Sequence, residues 1–487
     1  SGKELLKSAS TAITSVNGVY RSMWTAGWST TANTHQCFGI AAYNLALDCM
    51  ADDLIMQSQG NGWFWGDHCY NVKSNYTSSA FRSYDVWYAN YKWIANVNYI
   101  IDAEPEMAGT EADVAYVAGQ AYAIRALCYL NLATWFSRAP YNSLTGASRW
   151  NEPCVPVYTT GTSIDTGGQP RESLRTVYGR IDQDIDRAIE LLEKARETTL
   201  AENNKSHINL YVALGIKSRA CLAEGDWDGA FKAAKRVIDE GGYAVGTKSD
   251  LTSGMNSLDK QNVMWGAGIQ VADQAGGYAG FFTHMDNKEG AYAKSAPKLI
   301  SKQLYNRISA TDIRRDWWDP SDKESPYVSK KFSFANVASF LGDYIYMRVE
   351  EMYFTAAEAA LRLDDLKSAR ELMNTVMAER DPGYSANNRS GTLLGATTTT
   401  WTGSFLENIL THRRIELWGE YGRLFDVRRL GQGIDRRTDD GFSEECISMM
   451  NRRNVNITKA DTYDWVLTIP KAELDANPNI NEEDQNP

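Results

Sequence analysis

The residues best suited to chemistry in this chain are flat aromatic rings set among amides and carboxylates. Asn61-Gly62-Trp63-Phe64-Trp65-Gly66-Asp67-His68-Cys69-Tyr70-Asn71 gathers indoles, a phenol, a carboxylate and amides in one short stretch. A pyranose ring has a face of axial C–H groups and a rim of hydroxyls, so its matching surface is an aromatic plane edged by hydrogen-bonding side chains. Trp63 and Trp65 alternate, and in an extended segment they project to one side; Gly62 and Gly66 leave the backbone room to bend around a ligand. Trp63, Trp65, Asp67, Tyr70 and Asn71 are therefore candidate ligand contacts. A second group lies in Tyr278, Phe281, Phe282, His284 and Asn287, with Tyr278, Phe282 and Asn287 as its candidates, and a third in Trp317-Trp318, with Trp317 as its candidate. The same rings could equally plug the core between loop and helices.

Patterns for catalysis are mostly missing. There is no G-x-S-x-G, H-E-x-x-H or G-x-x-x-x-G-K-[ST], and Gly431-Gln432-Gly433 lacks the rest of a dinucleotide fingerprint. The histidines at 35, 68, 207, 284 and 412 are too scattered to announce a metal cluster, and no metal or cofactor is expected. Acidic doublets such as Asp52/Asp53, Glu350/Glu351 and Asp364/Asp365 are usual on solvated helix faces, and a glycosidase pair is defined by separation in space. Between Arg413 and Arg429, charges alternate with apolar residues; a helix there is expected to carry ion pairs as a structural clamp.

The elements that must position these residues are mainly helical. Leu5, Leu6, Ala9, Ala12, Ile13, Val16, Val19, Tyr20 and Met23 recur at helical steps, and further helices are expected over about 83–102, 111–136, 172–197, 207–224, 227–240, 344–363, 366–379 and 403–421. Ala220-Cys221-Leu222-Ala223-Glu224-Gly225-Asp226-Trp227-Asp228-Gly229-Ala230 aligns at one constant offset with Ala359-Ala360-Leu361-Arg362-Leu363-Asp364-Asp365-Leu366-Lys367-Ser368-Ala369. The shared unit is helix, tight turn, helix, similar to a tetratricopeptide repeat; one such hairpin cannot bury its own face, so several must stack. Residues 61–77, 241–344 and 381–402 have loop texture, and 386–400 is rich enough in Asn, Gly, Ser and Thr to be expected as a mobile surface loop.

Composition narrows the function further. The 487 residues carry 50 Lys+Arg against 61 Asp+Glu, a net charge of −11, with no Lys/Arg-rich run, which argues against a nucleic-acid ligand. Hydrophobic residues at 43% leave ample material for a core. Trp (15) and Tyr (26) far outnumber Phe (14), a bias toward rings with a polar handle and one wet side. Seven cysteines form no C-x-x-C pair; Cys128, inside Ala126-Leu127-Cys128-Tyr129-Leu130, has the setting of a small buried hydrophobe. The chain opens Ser1-Gly2-Lys3 without signal-peptide features, as expected of a trimmed product, and its longest apolar run is too short to span a bilayer.

Motifs spread from about residue 80 to the C-terminus carry a family resemblance. They are Trp93-Ile94-Ala95-Asn96-Val97-Asn98-Tyr99-Ile100-Ile101, Gly119-Gln120-Ala121-Tyr122-Ala123-Ile124-Arg125-Ala126-Leu127-Cys128-Tyr129-Leu130, and Arg348-Val349-Glu350-Glu351-Met352-Tyr353 with Ala356-Ala357-Glu358-Ala359. The Arg/Glu run at 413–429, Ile469-Pro470-Lys471-Ala472-Glu473-Leu474 and Asn477-Pro478-Asn479-Ile480 follow in order. Together they resemble the SusD/RagB family of outer-membrane glycan-binding lipoproteins. The resemblance implies one mainly α domain over 1–487: a superhelix of tetratricopeptide-like hairpins (1–57, 80–240 and 344–430) carrying a loop-rich binding region (58–79 and 241–343). It implies a polysaccharide or oligosaccharide ligand, no catalysis, and a SusC-like TonB-dependent transporter as partner. It also implies an N-terminal lipid holding the protein on the extracellular face of a bacterial outer membrane. Glycan contacts vary within the family, so the site residues rest on the chemistry above; Asp312-Ile313-Arg314, just before Trp317, resembles a scaffold element. A peptide receptor of the same fold, or a glycoside hydrolase, are the alternatives.

Overall fold

The computed structural model describes residues 2–25, 33–71, 81–269 and 279–487. Its main helices are α1 (Ala9–Ser22), α2 (Ile40–Met50), α3 (Phe81–Ala103), α4 (Glu111–Phe136), α5 (Leu174–Lys194), α6 (Leu210–Glu224), α7 (Trp227–Glu240), α8 (Val349–Arg362), α9 (Leu366–Ala378), α10 (Phe405–Glu416), α11 (Arg423–Leu430) and α12 (Glu444–Arg452). The fold is mainly α, as the periodicity predicts. Helix α4 is buried almost all round and starts on Thr110, whose side chain accepts a hydrogen bond from Asp113 N. Helix α5, capped by Ser173, is one-sided: Val177, Ile181, Ile185, Ala188 and Leu192 face the core at helical steps.

The repeated hairpin holds at atomic detail. Gly225 and Asp364 occupy the same turn position and both adopt left-handed backbone, at φ 72° and 61°. The next residue in each, Asp226 or Asp365, caps the second helix by accepting from Gly229 N or Ser368 N. Ala230 and Ala359 are fully buried in one small cluster, where the lack of bulk lets the hairpins approach closely.

Among the described residues, six short strands interrupt the helices: β1 (Leu54–Met56), β2 (Val263–Ala267), β3 (Lys298–Ile300), β4 (Trp318–Asp319), β5 (Val328–Ser329) and β6 (Tyr344–Arg348). They form one sheet ordered β1-β3-β5-β4 and a β2-β6 ribbon, all antiparallel. The ribbon corrects the helix expected over 344–363. Tyr344–Arg348 is extended because its backbone pairs with Val263–Ala267, and the helix begins only at Val349. The helix expected over 403–421 also ends early, at Glu416. Gly419 and Gly422 are left-handed at φ 76° and 89°, and α11 restarts from Gly422.

The clamp expected at 413–429 therefore joins separate elements instead of running along one helix. Glu416 receives Arg314, Arg348 and Arg380; Glu420 receives Arg348 and Lys331; Arg413 and Arg429 both hold Asp426. Arg414 reaches back to Asp52 and Asp53, so those acidic residues are buried partners and not a solvated face. The 386–400 loop is fastened as well: Ala386 and Thr398 are buried, and Thr398 N donates to Gly433 O at 3.0 Å. All seven cysteines are buried and unpaired, consistent with their apolar settings. Among the described residues, no helix is long and apolar enough to cross a membrane.

Candidate functional site

The loop between β1 and α3 begins as an open bend and then dives into the core. Gly60 and Gly62 take positive φ, of 53° and 91°; a side chain at Gly60 would strike the Ser295 backbone and the Ala296 methyl. Trp63 follows, half-buried, its ring stacked on His35 at 4.7 Å between centroids and 15° between planes. Tyr292 meets Trp63 edge-on at 6.2 Å, and its hydroxyl lies 2.5 Å from His35 Nδ1. His284 Nε2 donates to His35 O at 2.5 Å, and burial holds the His284 imidazole neutral. Two segments distant in sequence, around His35 and over 284–292, thus fix one indole in place, with Gln59 and Asn61 exposed beside it on the loop.

Phe64 has φ 62°, and from Trp65 the chain turns through a short helix, Trp65–His68. The extended geometry that would align Trp63 with Trp65 is therefore absent, and Trp65 is buried in the core. Asp67 is also buried: Arg82 Nε and Nη2 donate to its two carboxylate oxygens at 2.8 and 3.0 Å. Tyr70 is buried with its hydroxyl donating to Met50 O at 2.5 Å. These three expectations are corrected, because the apolar rings and the ion pair seal the loop base onto α2 and α3. Asn71 remains half-exposed at the end of the described loop.

In the second group, Tyr278 lies outside the described residues. Phe282 is buried in a ring cluster with Phe281, Phe334 and Tyr344, which corrects its assignment as a contact. Asn287 is half-buried and works as a fastener, donating to Ser329 O at 2.9 Å and accepting from Lys298 N at 3.0 Å. It lines an open concavity of about 880 Å³, edged by charged side chains including Lys288, Asp319 and Lys330. Trp317 is buried, donates from Nε1 to Leu251 O at 2.8 Å and carries Lys331 Nζ over its ring, so it too belongs to the core. Its neighbour Trp318 is buried against Trp418.

Trp63 and Asn287 are thus the candidates placed where a ligand can reach their surroundings, with Asn71 at the margin. His35 and Tyr292 complete the aromatic face without having been singled out. Their contact joins positions 257 residues apart, and no local pattern announces it. The face offers an oriented π-plane and amide hydrogen bonds, braced by the buried Tyr292 ring, and the one carboxylate of the loop, Asp67, is neutralised by Arg82.

Fold and face together define a helical-repeat protein whose irregular inserts present an aromatic edge to solvent. Residues 290–487 match the model of the SusD family, and residues 23–222 match a model described as "Starch-binding associating with outer membrane". The chain belongs to the SusD family. No curated protein matches it by sequence. Among solved structures it is similar to a SusD-like carbohydrate binding protein from Bacteroides vulgatus, with 25% identity over 98% of both chains and a TM-score of 0.78. It is also similar to a SusD superfamily protein from Bacteroides thetaiotaomicron, with 22% identity over 99% of this chain and 100% of that one and a TM-score of 0.77. Surface glycan-binding protein A from Bacteroides thetaiotaomicron, solved in complex with laminarihexaose, shares the fold at 16% identity over 98% of this chain and 99% of that one, with a TM-score of 0.68.

Proposed function

We propose that the protein captures oligosaccharide chains on the extracellular face of a bacterial outer membrane. It is held there by an N-terminal lipid and passes its cargo to a SusC-like TonB-dependent transporter without breaking bonds. The observation that carries the reading is the half-buried Trp63 ring held flat against His35. A ring already fixed in its binding orientation loses little side-chain entropy when a sugar stacks on it. Family membership, the starch-binding description of the matched model and the carbohydrate ligands of the similar proteins support the same substrate class.

An open face leaves most sugar hydroxyls near water, so single-site affinity is expected at roughly micromolar to millimolar, about −8 to −4 kcal/mol. Many copies on one surface raise capture of a long polymer through avidity. Affinity electrophoresis against plant, host and microbial glycans, with starch and laminarihexaose among them, tests the reading. Retardation by at least one glycan is expected. Free migration in all of them, with a peptide library retained instead, would replace glycan by peptide as the cargo.

A further inference from the structure

A second pocket, sharing no residue with the Trp63 face, opens on α3. Its cavity is about 240 Å³, and its walls include Trp87, Tyr88 and Tyr91 from α3 and Tyr158 from the segment between α4 and α5. Glu473, from the short helix Lys471–Ala476, completes the ring. Tyr91 and Tyr158 stand perpendicular at 5.8 Å between centroids, and Trp87 and Tyr91 lie 5.0 Å apart, so the rings form walls of a box instead of a stack. Two of the phenol oxygens are already engaged: Tyr91 donates to Pro156 O and Tyr158 accepts from Gln169 N. What these two rings have left to offer is π-surface.

The charge balance of the box is one-sided. Among the described residues, Glu473 is the only ionisable acid or base in its lining other than the tyrosines, and no described Lys, Arg or His lines the pocket. The carboxylate accepts from the Asn477 amide at 3.1 Å and from the Trp87 indole, both neutral donors. Burial pushes the Glu473 carboxyl up, with no cation among the described residues to offset it; burial likewise raises Tyr88, Tyr91 and Tyr158, and the Glu473 charge adds to each. Gly168 closes one side, where any side chain would collide with Asn477. Aromatic faces around an uncompensated carboxylate attract a weakly hydrated positive charge and disfavour anions.

We propose that this pocket binds an alkylammonium group, free or carried on a larger molecule, with Glu473 supplying the counter-charge and Tyr88, Tyr91 and Tyr158 the cation–π walls. The site is independent of the glycan reading. The probe is choline, compared by calorimetric titration at low salt with its neutral isostere 3,3-dimethyl-1-butanol and with glucose. Choline is expected to bind at least tenfold more tightly than either neutral compound. Glu473→Gln removes that tenfold preference, while Trp63→Ala leaves it intact. Equal binding of choline and the isostere, or no choline binding by the folded wild-type protein, would overturn the proposal. If Glu473→Gln does not fold, Tyr158→Leu takes its place, and an unchanged choline preference in that variant would equally refute the cage.

Discussion

At the scale of single residues, neighbours in sequence do opposite work. Trp63 and Trp65 look equivalent as a pair of indoles two apart. The left-handed backbone at Phe64 separates them, leaving one half-buried at the surface and the other packed in the core. Replacing Trp65 by Ala is expected to cost about 3–5 kcal/mol, the usual price of a large core cavity. Replacing Trp63 by Ala is expected to cost about 1 kcal/mol or less. Thermal melts of the two variants check this, and similar losses from both would mean that Trp63 is structural. That this loop is rich in aromatic rings was legible in the sequence; the direction of each ring was not. That direction depends on one backbone angle and on His35 and Tyr292, which reach the site from other parts of the chain.

At the scale of elements, turns and caps were more legible than strand pairing. The matched Asp226 and Asp365 caps follow directly from the repeated motif, whereas nothing local to Tyr344–Arg348 shows that Val263–Ala267 will be its partner. Asp364 holds a left-handed angle that Gly225 takes at no steric cost, so Asp364→Gly is expected to stabilise the second hairpin by up to about 1 kcal/mol. Urea midpoints would show the gain, and a loss would mean that the Asp364 side chain earns its place through contacts. The segment from α10 to α11 is bound by buried ion pairs, and removing one charge there leaves its partners unmatched. Glu416→Gln is expected to cost about 3–5 kcal/mol, because three arginines converge on that carboxylate.

The same network sets a pH dependence. Arg380, Arg348 and Arg314 hold Glu416 well below the usual carboxylate range, and Arg413 with Arg429 pulls Asp426 down to about 2 despite its burial. In the unfolded chain these groups take up protons near pH ~4. Their stabilisation is therefore complete above that pH and is lost as pH falls toward the folded values. Urea denaturation between pH 6 and pH 3, both chosen test conditions, is expected to show the midpoint falling as acid is added. A flat profile would mean that the network contributes no net stability.

At the scale of the whole molecule, the helical hairpins form a frame and the segments between them carry the proposed binding face. The frame was legible because helical periodicity and capping are local; the aromatic face was only half legible because it is assembled from residues around 35, 63 and 292. Reception of glycan and delivery to a transporter are two separable parts of the proposed role. Co-purification from outer membranes of the native source should bring down a TonB-dependent barrel, and recovery of the protein alone would remove the proposed delivery step while leaving capture standing. Capture itself is tested most directly by calorimetric titration of the best-retained glycan into the wild-type protein and Trp63→Ala. The account predicts at least a tenfold loss of affinity in the variant with its melting temperature nearly unchanged; full affinity without that ring would contradict it.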